Sequence, residues 1–161
     1  MRHLVATLCV LVASPAAAQT VPWPVYGGDA GATKFSPAGQ IDRTNVARLA
    51  PAWEWRVGER AIPQTDSTKA ARPGAFQATP LMIGDTLFLS TPFNRVVALD
   101  AKTGREYWAY DPGAYRYGQP SNGTGLVHRG VAQWSDGHQR RIFMNSRWRL
   151  IALDAATGRT R

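Results

Sequence analysis

One phrase occurs twice in this chain: VVALDAKTG, beginning at Val96, and LIALDAATG, beginning at Leu150. The shared Ala-Leu-Asp sets Ala98 and Ala152 54 positions apart. A repeat of that length is one supersecondary unit, too small to bury both of its faces, so copies of it must stack on one another. That requirement removes most folds before any other residue is considered.

The residues around each copy identify the unit. ATPLMI, TLFLST, RVVALD and REYWAYD are short β-prone runs separated by Gly84-Asp85, Pro92-Phe93-Asn94 and AKTG. They read as four strands of an antiparallel meander. From Arg129 the pattern restarts with RGVAQW, RRIFMNS and RLIALD, and Arg161 falls where a fourth strand should begin. In each copy the Asp (Asp100, Asp154) is placed to accept backbone N–H bonds, and Thr103 or Thr157 to support the turn. Gly104 or Gly158 then supplies a positive φ. Trp108, four residues past Gly104, is placed to cover the next sheet. A period near 50 with four strands per copy predicts an all-β chain of β-propeller blades. Helical solenoids and doubly wound α/β folds need long amphipathic helices, and the only helical candidate is a turn in GQIDRTNVARLAPAWEW, with Thr44 or Asn45 as its cap. Residues 58–74, polar with two prolines, read as a surface or cleft-rim loop.

Residues 1–18 read as a separate instruction: a basic start, the apolar run LVATLCVLVA, and small residues ending at Ala18. That is the pattern of a secretory signal peptide, too short to span a membrane, and it predicts a periplasmic destination for residues 19–161. Cleavage would remove Cys9, the only cysteine, so packing or a bound group must hold the mature chain. The formal charge of +8 comes from scattered residues, with Arg140-Arg141 the only adjacent basic pair, which argues against a nucleic-acid partner. The mature part contains no candidate transmembrane helix. Six tryptophans are too many to leave idle. Trp53, Trp55, Trp108, Trp134 and Trp148 are expected to pack blade on blade rather than stack on a cofactor.

Four stretches, in order, resemble pyrroloquinoline quinone (PQQ)-dependent dehydrogenases of the glucose, quinate and polyol type. WPVYGGDAGATKFSPAGQI is similar to the family's opening segment, and NVARLAPAWEW to its lead into the first full blade. FQATPLMIGDTLFLSTPFNRVVALDAKTG is similar to the blade that reaches the quinone, and VHRGVAQW to the next inward strand. The resemblance implies an eight-bladed propeller of which this sequence supplies about two and a half four-stranded blades, an N-terminal fragment. Alone, such a piece is expected to be marginally stable and catalytically silent.

The resemblance also implies that inward-facing residues hold the cofactor near the propeller axis. Gln77 stands where many relatives have a carboxylate touching the quinone, and Arg129 where a guanidinium meets its carboxylates. His128 is read as structural in the first instance, with a substrate-facing role as the alternative, and nothing at ligand spacing makes it a metal site. Gly123 and Thr124 replace the adjacent cysteines of some relatives, which argues against the methanol-dehydrogenase branch. Asp100 and Asp154 are turn residues, and neither Asp29 nor Glu59 is assigned a catalytic part.

The implied reaction is PQQ-dependent oxidation of a sugar, polyol or other alcohol, assisted by calcium, with electrons passing to a membrane quinone or a cytochrome. Calcium ligands and the catalytic base are implied to lie outside this chain. The alternative is a non-enzymatic periplasmic propeller that scaffolds outer-membrane protein assembly. It would share the Asp-x-x-Thr-Gly turns and signal but would not need the opening segment, the loop 58–74 or the His128-Arg129 pair.

Overall fold

The computed structural model of the protein describes residues 20–161, so the reading of residues 1–18 as a signal peptide lies outside the described residues. The strands fall where the turn chemistry places them. The first sheet contains β1 (Leu81–Ile83), β2 (Thr86–Ser90), β3 (Val96–Asp100) and β4 (Glu106–Tyr110), paired antiparallel in that order. The second contains β5 (Ala132–Ser135), β6 (Arg140–Ser146) and β7 (Arg149–Asp154), again antiparallel neighbours. Pairing of a fourth strand begins beyond β7, where Leu153 bridges Thr160. The described residues contain no helix long and apolar enough to cross a membrane.

The two copies of the repeated turn are built alike. The Asp100 carboxylate accepts from the N–H groups of Lys102 and Thr103 at 2.9 Å each, and Gly104 N–H closes onto the Asp100 carbonyl. Asp154 accepts from Ala156 and Thr157 N–H and from the Thr157 hydroxyl, while Gly158 N–H returns to its carbonyl. Each turn also receives a tryptophan from the preceding unit. Trp53 donates its indole N–H to the Ala101 carbonyl, and Trp108 donates to that of Ala155, both at 3.1 Å. The rings lie so close that a Cβ on Gly104 would come within 2.5 Å of Trp53, and one on Gly158 within 2.6 Å of Trp108. With φ of +71° and +69°, these positions need glycine for conformation and for space alike.

Stacking then follows from alternation along the strands. Phe88, Val96 and Ala98 of the first sheet pack with Ile142, Met144, Ile151 and Leu153 of the second, with Trp108 alongside. The opposite face of the first sheet, Leu89, Val97 and Leu99, is covered by Trp53 and Trp55. A third small core of Ala71, Phe93, Ala114 and Leu126 gathers the irregular segments above the β2–β3 turn.

Three expectations are corrected. Trp134 and Trp148 do not pack between sheets: they are 46% and 68% exposed, Trp134 under the Arg141 guanidinium and Trp148 edge-on to Tyr117. Both lie off the face that meets a neighbour, on the side strand β5 and in the β6–β7 turn. The expected helical turn is present as a 3-10 turn at Val46–Arg48 with Asn45 at its N-cap position, but neither Thr44 nor Asn45 caps it through a side-chain hydrogen bond. Instead the Asp42 carboxylate accepts from the Thr44 N–H and hydroxyl, folding the turn from in front.

Candidate functional site

The inner ends of the two sheets meet through main chain. Thr79, two residues before β1, and Gly130, two before β5, form a parallel bridge in which Thr79 N–H donates to the Arg129 carbonyl at 3.0 Å. This junction brings Gln77 and Arg129 to the same cleft although 52 positions separate them in sequence. Both line a single cleft of about 440 Å³, together with segments 73–75 and 119–127.

Loop 58–74 forms the cleft's outer support. Its two limbs pair at Ile62 and Ala71, and Gln119 ties it to the β4–β5 connector by donating N–H to Ala70 and accepting from Arg72. Glu59, at the base of the loop, accepts from the Thr91 hydroxyl at 2.6 Å and from Phe93 N–H at 2.7 Å, with Arg95 3.9 Å away. Burial pushes the Glu59 carboxyl above its usual range, and these hydrogen bonds and Arg95 only partly offset that effect. Gly74 N–H reaches the Pro92 carbonyl on the same turn. Asn94, buried in that turn, donates to the Leu126 carbonyl and accepts from Ser146. The β2–β3 turn is therefore the hub to which the loop, the connector and the second sheet are all fastened. Glu59 belongs to that hub rather than to the cleft, and Asp29 folds its own loop by accepting from Thr33.

The cleft's chemistry is polar and free of acids. Among the described residues no Asp or Glu lines it, while Arg129 contributes a permanent cation and Gln77, Gln119 and Asn122 contribute amides. Neither Arg129 nor Gln77 is buried, and Arg129 joins no ion pair among the described residues. No described atom outside its chain neighbours lies within 4 Å of where a Cβ would stand on Gly123, so the wall is open there. A small anionic molecule suits this set: the volume is within the ~300–1,000 Å³ of small-ligand sites, and Arg129 offers the fork that carboxylates prefer. PQQ, with three carboxylates on a planar ring system, meets these requirements. A larger hollow of about 540 Å³, which Arg129 and Tyr26 also line, lies over His128, Phe143 and Leu150 and is mostly apolar. Among the described residues no three of His, Cys, Asp or Glu come together to hold a metal ion.

His128 lies between the sheets. Its Nδ1 stands 2.9 Å from the Ser90 hydroxyl and accepts from Gly130 N–H, and its Nε2 is 3.2 Å from Asn145 Oδ1. Its partners come from β2 and β6, which no spacing along the chain would have revealed. Ser90 and Asn145 are the residues that sequence reasoning missed here.

Comparison with known proteins agrees with this architecture. Residues 23–161 match the family profile described as "PQQ: Glucose/ethanol/alcohol dehydrogenase, beta-propeller domain". The chain is 34% identical over 145 residues to the quinohemoprotein alcohol dehydrogenase of Comamonas testosteroni, spanning 89% of this chain and 18% of that protein. It is 42% identical over 101 residues to the quinoprotein glucose dehydrogenase of Escherichia coli, 62% of this chain and 12% of that protein. The crystal structure of the Comamonas testosteroni enzyme superposes with a TM-score of 0.65 at 32% identity, covering 90% of this chain and 19% of that one. The chain thus spans about a fifth of the relatives it matches along most of its length. On the profile match and the shared stacking of sheets, the chain belongs to the PQQ-dependent glucose/ethanol/alcohol dehydrogenase β-propeller family.

Proposed function

We propose that this chain supplies part of the cofactor cleft of a periplasmic dehydrogenase that oxidises a sugar, polyol or other alcohol and passes the electrons to a membrane quinone or a cytochrome. The observation that carries the reading is the meeting of Arg129 and Gln77 in one acid-free cleft at the junction of two successive sheets. Related proteins are named as alcohol, glucose and quinate/shikimate dehydrogenases.

In this reading Arg129 binds a carboxylate of the quinone through paired N–H donors and fixes its orientation. Gln77, uncharged, gives and takes a hydrogen bond without adding to the field. The segment 119–125 walls one side of the cleft. When bound, the quinone is the two-electron acceptor for the alcohol carbon, and calcium polarises it as a Lewis acid. The calcium would not be held by the described residues. The chain by itself therefore binds the quinone but turns no substrate over. Its export rests on the signal-like residues 1–18, and a mature N-terminus following Ala18 in a periplasmic fraction is the expected result.

The test is titration of the full chain with PQQ, with and without calcium chloride, followed by tryptophan fluorescence. Arg129→Ala is expected to weaken binding roughly thirtyfold and Gln77→Ala about fivefold, as charged and neutral hydrogen bonds differ. Equal affinity in the wild type and both variants would remove the assignment. Dye reduction with sugars and polyols, expected to be absent from the chain alone, tests the inactivity.

A further inference from the structure

The chain places an imidazole immediately before Arg129, where main chain from both sheets converges. His128 touches three separate pieces of structure: Ser90 at the end of β2, Asn145 in β6, and the N–H of Gly130. A backbone N–H can only donate, so Nδ1 carries no proton, and the remaining proton on Nε2 points to Asn145 Oδ1. The next main-chain bond along is the one from Thr79 N–H to the Arg129 carbonyl, which holds the two inner strand ends together. Gln77 is two residues beyond that bond. The imidazole therefore braces the stretch that joins both candidate cofactor contacts.

We propose that His128, kept neutral with its proton on Nε2, is the positioning residue that holds Arg129 against the Thr79–Gly130 junction and so sets the geometry of the cleft. This role rests on the reading of Arg129 as a ligand to an anionic cofactor. It has a consequence for pH. A second proton would have to sit on Nδ1, facing the Gly130 N–H, and Ser90 would have to turn its hydroxyl to accept.

Among the described residues lining the cavities beside it, an imidazolium at His128 finds no counter-ion. His128 borders two cavities, and the titratable or charged side chains lining them are Tyr26, Arg129 and Arg147, without any carboxylate. Burial lowers the affinity of the ring for a proton, outweighing its hydrogen bonds to Asn145. A group so lowered contributes its stability above the ordinary imidazole range near pH ~6.5 and loses it as the pH falls below that range. Acidification is thus expected to loosen the junction before the sheets themselves unfold.

The experiment uses the full chain at pH 7.5 and at pH 5, with two readouts. The first is amide protection of Thr79 and Gly130, corrected for intrinsic exchange. It should fall about tenfold in acid, the loss expected for one buried hydrogen bond, while the amides of β3 hold. The second is affinity for PQQ, which should fall in parallel. In His128→Asn, which can still accept from Gly130 N–H but does not titrate, both quantities should be independent of pH in this range. Imidazole nitrogen shifts in the wild type give the tautomer directly and do not depend on any variant folding. Affinity that rises in acid would make His128 a cation for the ligand and overturn the proposal. So would a wild-type junction indifferent to pH, or a proton found on Nδ1. Failure of the chain to bind PQQ at any pH would count against the functional reading alone, since the amide and imidazole readouts still decide the role of His128.

Discussion

The two sheets share a sequence pattern and differ in company. In the first, Val96 is fully buried and Phe88 nearly so, because the second sheet lies on them; Leu89, Val97 and Leu99 are buried on the other face beneath Trp53 and Trp55. In the second, Leu150 occupies the place of Val96 and is 77% exposed, while Phe143, the counterpart of Phe88, lines an open hollow. Both pairs sit in matching ladders, Phe88 opposite Ala98 and Phe143 opposite Ala152. A repeat of this kind thus encodes a sheet with two apolar faces, and burial is decided by what stands next to each face. The hydrophobic term belongs to the interface between copies and not to the copy.

That contrast can be broken experimentally, and the largest effect should come from its pivot. Trp108→Ala removes the ring that covers the Gly158 turn and the bond to Ala155, and should destabilise the chain by about 3 kcal/mol in denaturant unfolding. A loss below ~1 kcal/mol would mean that the sheets do not depend on this contact. Next, Gly158→Ala introduces a Cβ into the ring and an unfavourable φ, with an expected cost of about 2 kcal/mol. The paired substitutions Val96→Ser and Leu150→Ser sharpen the comparison most cleanly. The first should cost roughly 2 kcal/mol, and the second should stay within ~0.5 kcal/mol while reducing self-association seen by light scattering. Equal costs would show that Leu150 is sheltered in solution.

The smallest effect concerns pH. The Tyr107 hydroxyl and the backbone N–H of Thr103 hold Asp100 at about 2, below its ordinary 3.8. A carboxyl lowered in this way contributes stability above pH 3.8 and loses it as the pH falls through about 2. Asp100→Asn should flatten the acid limb of the stability curve in that window, and an unchanged limb would show that the turn carboxylate carries none of it.

How much of this was legible in the sequence follows from which forces are local. The Asp-x-x-Thr-Gly turns were readable because their hydrogen bonds close within five residues. The strands were readable because apolar alternation and turn residues agree. That Trp108 covers the next sheet follows from its spacing, whereas its docking on the Gly158 turn does not, and the same logic fails for Trp134 and Trp148. Spacing alone does not tell which face of a side strand or a turn has a neighbour. The hub at Thr91–Arg95 was invisible because Glu59, Gly74, Leu126 and Ser146 reach it from four distant segments. Gln77 and Arg129 were singled out by resemblance to a family, and their shared cleft emerged only when Thr79 and Gly130 were paired. His128 was visible as a residue, yet its meaning depended on Ser90 and Asn145.

The most direct measurement is a crystal structure of the chain grown with PQQ and calcium. The account predicts the quinone in the cleft between segments 73–77 and 119–127, with a carboxylate within hydrogen-bond distance of the Arg129 guanidinium and the Thr79–Arg129 bond intact. Quinone bound instead over Phe143 and Leu150, or Arg129 turned to solvent with the cleft filled, would contradict it.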